Sequence, residues 1–280
     1  MNELRTKLES YMSQYSQEDI CLAFSGGVDS SLLLKAALDA VNAGGRSVYA
    51  VTFNTRLHPP CDLEAARQIA GELGGIHVVL EIDELEQKEI AGNPVDRCYL
   101  CKRQLFTKLA EFAAGKGVRH IFDGTNWDDM HVYRPGIRAL KELGIISPLA
   151  ELHVSKDQVR SLAAEYGISA ASRPSTPCMA TRLPYGAQLD YGLLERIETG
   201  EMWLREQIGG NVRLRVHGEV ARIEVDASSM EKMVKLGAQA AQRLKDLGFH
   251  YVTLDLEGFR SGSMDQYIDR SGMEQPALGR

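Results

Sequence analysis

Ile20-Cys21-Leu22-Ala23-Phe24-Ser25-Gly26-Gly27-Val28-Asp29-Ser30-Ser31 is the stretch on which the fold turns. The apolar run Ile20 to Phe24 reads as a buried strand, and a Ser-Gly-Gly turn follows at once. From Asp29 to about Val41 the pattern is helical, with Leu32, Leu33, Ala36, Ala37 and Ala40 on one face. Working outward, the same alternation recurs. Strands are expected at Val48 to Phe53, Ile76 to Leu80 and His120 to Asp123, with helices from about Asp62 to Leu73 and Leu100 to Ala114 between them. Strands separated by helices imply parallel βαβ units and an open, Rossmann-like α/β sheet. In such a sheet the ligand sits beyond the carboxyl ends of the strands, at a switch point. The loops after Phe24, after Phe53 and at Asp123-Gly124-Thr125-Asn126 would all lie there.

Beyond residue 169 the pattern changes. Arg173-Pro174-Ser175-Thr176-Pro177 reads as irregular loop. A helix from about Asp190 to Ile208, strands at Val212 to Val216 and Ala221 to Val225, a helix from about Ser229 to Leu247 and a strand at Tyr251 to Asp255 make a smaller α+β unit. The expected organisation is therefore residues 1–180 as the α/β domain and 181–280 as a C-terminal α+β domain for substrate binding or oligomerisation. The last ~20 residues are expected to fray or to dock on a neighbour.

The Ser25 to Ser30 loop suits a polyanion. Glycines let the backbone turn sharply and approach a ligand closely, while free N–H groups and the dipole of the following helix favour negative charge. No Gly-Lys-Ser/Thr follows, so this is not a Walker-A loop. A loop without that lysine fits a site that holds leaving pyrophosphate.

Five cysteines are spread along the chain. Cys98 and Cys101 form Cys-Tyr-Leu-Cys between Asp96-Arg97 and Lys102-Arg103, whose cations favour thiolate. Taken alone, the pair fits a redox couple, half a zinc site, or two ordinary cysteines at a helix start. Cys178 lies in a loop between Pro177 and Arg182. Cys21 belongs to the core strand, and Cys61 reads as structural. Arg213 and Arg215 share one face of a strand, because residues i and i+2 align; either they bind an oxyanion bidentately or they face solvent. Arg97, Arg134 and Arg182 are comparable candidates nearer the thiols.

A net charge of −6 argues against a general nucleic-acid binder. The polar N-terminus lacks a signal-peptide core, and no apolar run approaches the ~18 residues of a membrane span. The expectation is a cytoplasmic protein whose cysteines are thiols, ligands or catalysts.

Ser25-Gly26-Gly27-Val28-Asp29-Ser30 resembles the loop of the PP-loop ATP pyrophosphatases. That resemblance implies that Ser25, Gly26, Gly27, Asp29 and Ser30 hold the β,γ-phosphates of ATP with Mg²⁺. It also implies that the loop near Phe53 faces adenine and that Asp123, Gly124, Thr125 and Asn126 form a second nucleotide loop. Together with Tyr133-Arg134-Pro135-Gly136, Ser147-Pro148-Leu149, Cys178-Met179-Ala180-Thr181-Arg182 and Asp255 to Ser263, the chain resembles the LarE sulfur transferases along nearly its whole length. The resemblance implies adenylation of a carboxylate of pyridinium-3,5-biscarboxylic acid mononucleotide. Sulfur then replaces oxygen, giving a thiocarboxylate on the route to a nickel-pincer nucleotide. It implies Arg97, Arg182, Glu201, Arg213, Arg215 and Arg260 as substrate-binding residues and a homo-oligomer, of hexamer type. Cys98, Cys101 and Cys178 match the pattern of members holding a [4Fe–4S] cluster on three cysteines, with one iron open to hydrosulfide. Sacrifice of the Cys178 sulfur and a persulfide relay are the alternatives. Rivals to the whole reading are an ammonia-dependent synthetase of the NAD-synthetase type, a tRNA-thiolating enzyme and a nucleotide-sensing module.

Overall fold

A computed structural model of the chain describes residues 2–41, 44–58, 60–132, 134–172, 177–260 and 262. Tyr133, the loop Arg173 to Thr176, Ser261, Ser263 and the final segment to residue 280 therefore lie outside the described residues. The chain divides into two compact units. The first takes the described residues of 1–84 and 96–176, the second those of 85–95 and 177–273.

In the first unit, α1 (Asn2–Ser13) precedes β1 (Ile20–Ala23), α2 (Val28–Val41), β2 (Val48–Asn54), α3 (Pro60–Leu73) and β3 (Ile76–Glu81). A short α4 (Lys88–Ala91) belongs to the second unit. The first resumes with α5 (Arg97–Gly115), β4 (His120–Phe122), α6 (Gly136–Glu142), α7 (Pro148–Glu151) and α8 (Lys156–Glu165). The four strands are all parallel, in the order β3-β2-β1-β4. This is the open α/β sheet expected from the sequence.

Strand β1 shows why the sheet is covered on both faces. Ile20 and Leu22 enter one apolar cluster with α1, α2 and α8, while Cys21 enters the opposite one with Leu105, Phe106 and Leu109 of α5. Side chains alternate across a strand, so a strand apolar at every position must be buried twice. Cys21 is thus a core residue, and burial pushes its thiol up to about 12.

The second unit contains α9 (Tyr191–Ile208), β5 (Val212–His217), β6 (Val220–Val225), α10 (Met230–Asp246) and β7 (Tyr251–Leu254). Its sheet runs β5-β6-β7, with the first pair antiparallel and the second parallel. Leu214, Val216, Ala221 and Ile223 are buried on one face. The register places Arg213, Arg215, Arg222, Glu224 and Asp255 on the other. The segment 85–95 joins this unit through backbone hydrogen bonds, Gly186 N to Asn93 O at 2.8 Å and Leu189 N to Ala91 O at 2.7 Å.

Candidate active site

The strand order reverses between β1 and β4, so the loops leaving these two strands flank the switch point. Two glycines make their approach possible. Gly26 has φ +67°, and a Cβ there would lie 2.7 Å from the Ala66 Cα of α3. A Cβ on Gly124 would lie 2.9 Å from Ser30 N, so only glycine lets the β4 loop press against the start of α2. The serines shape the first loop from within: Ser30 Oγ donates to Gly27 O at 3.1 Å and Gly27 N donates to Ser25 Oγ at 3.3 Å.

Side chains join the two loops. Asp29 accepts from Asn126 Nδ2 at 3.0 Å and from Lys156 Nζ. Asp123 is buried and accepts from Thr125 Oγ1 and Ser147 Oγ, both at 2.5 Å, with Lys102 Nζ at 3.9 Å. Asn126 and Asp129 exchange backbone-to-side-chain bonds, and Arg134 pairs with Asp129 at 2.9 Å. The Asp129 carboxyl is raised chiefly by burial, which Arg134 opposes. The predicted residues Ser25, Gly26, Gly27, Asp29, Ser30, Asp123, Gly124, Thr125 and Asn126 are thus gathered at one end of the sheet. The Phe53 ring is half-buried and packs edge-on against Phe106 at 5.7 Å, beside the apolar cluster under α5.

Helix α5 begins at Arg97, three residues before the start read from the sequence, so Cys98 stands in its first turn. Cys101 follows one turn later on the same face. Cys98 is exposed and Cys101 half-buried. Arg97 is buried, and its guanidinium donates to Cys98 Sγ at 3.8 Å.

Cys178 belongs to the second unit, where it precedes the 3-10 turn Met179–Arg182. That turn is anchored from inside. Arg182, 2% exposed, meets Glu201 through Nε at 2.8 Å and Nη2 at 2.9 Å. Its Nη1 donates to the carbonyls of Pro177 and Cys178 and to Thr181 Oγ1. Glu201 also accepts from Leu214 N at 2.9 Å. Arg215 donates to Thr181 O at 2.6 Å and pairs with the fully buried Glu224 at 3.1 Å. Arg222 shares Glu224, then pairs with Asp255, which also meets Arg260.

Arg213 differs from these neighbours. It is 8% exposed, donates to Val212 O at 2.7 Å and lies 5.1 Å from the Phe259 ring. Among the described residues it has no carboxylate partner. Burial and the cations Arg182, Arg205 and Arg215 push its guanidinium down to about 10, against the pull of Glu201. A buried cation without a counter-ion attracts an anion.

Comparison with known proteins decides the family. Residues 1–97 match the PP-loop domain. The chain is 36% identical to an uncharacterized protein of Synechocystis sp. over 271 residues, covering 95% of this chain and 100% of that protein. It is 34% identical over 252 residues to the pyridinium-3,5-bisthiocarboxylic acid mononucleotide synthase of Lactiplantibacillus plantarum, covering 90% of this chain and 91% of the synthase. This chain is a LarE-type PP-loop sulfur transferase. More distant similarity reaches a tRNA-specific 2-thiouridylase of Trichlorobacter lovleyi, 28% identical over 61% of this chain.

For a LarE-type enzyme that uses ATP, the geometry adds Lys156, which motif reading passed over, and gives Lys102, read above only as a flank of the thiols, a second contact. Lys156 opens α8 behind a capping box of Ser155 and Gln158, a helix-start signal visible in the sequence. Lys102 follows the Cys98/Cys101 pair. Both reach acidic residues of the nucleotide loops, Lys156 at Asp29 and Lys102 at Asp123. Nothing in their spacing marked these contacts. Among the described residues no helix is long and apolar enough to cross a membrane.

Proposed function

We propose that this enzyme adenylates a carboxylate of pyridinium-3,5-biscarboxylic acid mononucleotide and replaces the carboxylate oxygen by sulfur. The observation that carries the reading is the 34% identity, along 90% of the chain, to a protein named for that product. The geometry supports it. Backbone N–H groups of the Ser25 to Ser30 loop and the start of α2 would hold the β,γ-phosphates. Lys156 and Lys102 would add charge as pyrophosphate departs. The hard oxygen donor of Asp29 suits Mg²⁺ arriving with the nucleotide. In the second unit, Arg213 would bind the phosphate of the mononucleotide, while Arg182, Arg215 and Glu201 shape the Cys178 turn beside it.

The order of events follows from leaving-group chemistry. A carboxylate is a poor electrophile, so its oxygen first attacks the α-phosphorus and pyrophosphate leaves. The acyl-adenylate then yields AMP to a sulfur nucleophile. For the sulfur we propose a [4Fe–4S] cluster on Cys98, Cys101 and Cys178. The donor set suits it in kind: three thiols, two of them one helical turn apart. Among the described residues no three such ligands stand gathered as a metal group, and no step above depends on the cluster. When bound, it would supply an iron position open to hydrosulfide. The enzyme is proposed to work as a homo-oligomer.

Oxygen-free purification followed by iron and sulfide analysis, pyrophosphate release and intact mass tests the reading. Pyrophosphate release dependent on the mononucleotide and a thiocarboxylate product are expected. Absence of both overturns the function. An iron-free protein that turns over once and loses the mass of one H₂S overturns the cluster and assigns the sulfur to Cys178.

A further inference from the structure

The loop after β2 carries a histidine with no role in the motifs. His58 is half-buried, and its Nδ1 lies 2.8 Å from Thr55 Oγ1. Thr55 is itself buried. Beyond the end of β3, opening the 3-10 turn Glu84–Glu86, stands Glu84, which is 0% exposed and whose carboxyl the Thr55 side chain and the backbone of Arg56 and of Glu84 itself meet only outside strict hydrogen-bond geometry. A carboxyl so deeply buried and so loosely bonded is costly. Strands β2 and β3 are neighbours running the same way. Their ends therefore bring acid, hydroxyl and imidazole to the side of the sheet where the phosphate loop and the Cys98/Cys101 helix start also lie.

The charges around the imidazole point the same way. Burial lowers its proton affinity most, Lys102 of α5 lowers it further, and Asp62 of α3 opposes both. Burial and Lys102 thus favour the neutral ring, the form a base needs. Lys102 is the residue after Cys101, so its effect on His58 ties the ring to the thiol-bearing helix. Burial pushes the Glu84 carboxyl up to about 7, with Asp83 adding to the rise and Thr55 and the backbone of Glu84 and Arg56 opposing it. Glu84 thus titrates near neutrality, where a second group can share a proton.

The proposed reaction needs one proton acceptor. Hydrosulfide adds to the acyl carbon of the acyl-adenylate and forms the C–S bond. The adduct still carries S–H. As the C–O bond breaks and AMP leaves with its electron pair, that proton must go to a base if a thiocarboxylate anion is to remain. No net oxidation or reduction occurs. We propose that His58, oriented by Thr55 and backed by the buried Glu84, is the base that takes the proton from hydrosulfide as sulfur replaces AMP. Nδ1, held at Thr55, leaves Nε2 to accept the proton and release it to water. Thr55 and Glu84 are positioning residues. The inference rests on the sulfur-transfer reading above.

The test separates the two half-reactions, using the full-length enzyme with ATP, the mononucleotide and sodium sulfide. His58→Gln keeps a side chain able to bond Thr55 but cannot take a proton. Its pyrophosphate release should stay within about two-fold of the parent, while thiocarboxylate formation falls by about 10²-fold or more. The low-pH limb of the parent's transfer rate should vanish in His58→Gln and move in Thr55→Val. Equal transfer rates in the parent and His58→Gln overturn the inference alone. So does an equal loss of both half-reactions with the limb retained, which marks a structural role. A parent that releases no mononucleotide-dependent pyrophosphate overturns the functional reading and this inference with it.

Discussion

On the proposed reading, the two units would hold anionic ligands in opposite styles. The first relies on backbone N–H groups at a helix start, with its acids paired to lysines that remain partly exposed, Lys156 to Asp29 and Lys102 to Asp123. Such lysines are strongly hydrated, mobile charges that can change partner when a ligand arrives. The second relies on buried arginines. Arg182 and Arg215 are committed to Glu201, Glu224 and the carbonyls of the Cys178 turn, so they build the site and are not free to bind within it. Arg213 has no carboxylate partner among the described residues and is the one proposed to meet a ligand. Arginines that look equivalent in the sequence thereby differ in their partners.

The largest expected effect would break that contrast. Glu201→Ala strands the buried Arg182 and should cost about 3–5 kcal/mol of stability, read from denaturant unfolding. A loss below about 1 kcal/mol would mean the pair is not the anchor of the Cys178 turn. Next is Glu84 in the first unit. Its carboxyl lies at about 7 in the folded protein against an ordinary 4.5. The folded state therefore binds this proton more tightly than the unfolded chain. The Glu84 contribution to stability is fully present below about 4.5, is lost as pH rises to about 7 and stays lost above, a change of about 3 kcal/mol. Glu84→Gln should remove that slope, and unfolding of both proteins across this range checks it.

Arg213→Ala should lower affinity for the mononucleotide by about 10- to 100-fold, from loss of a charged hydrogen bond of about 1.5–3 kcal/mol. Its stability should change by less than about 1 kcal/mol, because no buried carboxylate is stranded. Unfolding as severe as in Glu201→Ala would place Arg213 in the scaffold instead. Gly124→Ala should cost about 1–2 kcal/mol of stability, an overpacking cost, as the Cβ pushes against Ser30 N. It should weaken ATP binding while leaving mononucleotide binding intact, which titration calorimetry with each ligand separately would show.

How much of this was legible differs between elements. All seven strands follow from apolar runs and alternation, because burial on one face or two leaves a period in the chain. The start of α5 did not follow. Asp96 makes no side-chain cap bond, so the usual signal is missing and Cys98 enters the first helical turn unannounced. The short helices α4, α6 and α7 carry too few residues for a period to show. The capping box before α8 could have been read, yet it marks a helix start and says nothing of where the Lys156 ammonium goes. The place of Phe53 near a strand end says nothing of which face its ring takes, and only the fold sets it edge-on to Phe106.

The sequence by itself determined the strand, loop and helix of the proposed phosphate site, and the spacing of the Cys98/Cys101 pair. Both are local: φ freedom at Gly26, helix polarity and thiol spacing need only neighbours along the chain. The tertiary structure alone decided which arginines are bound to buried acids and which has no carboxylate partner among the described residues. It alone brought Thr55, His58 and Glu84 together from the ends of adjacent strands. Charge and proton affinity depend on desolvation and on partners distant in the chain, and those are set only when the chain has folded.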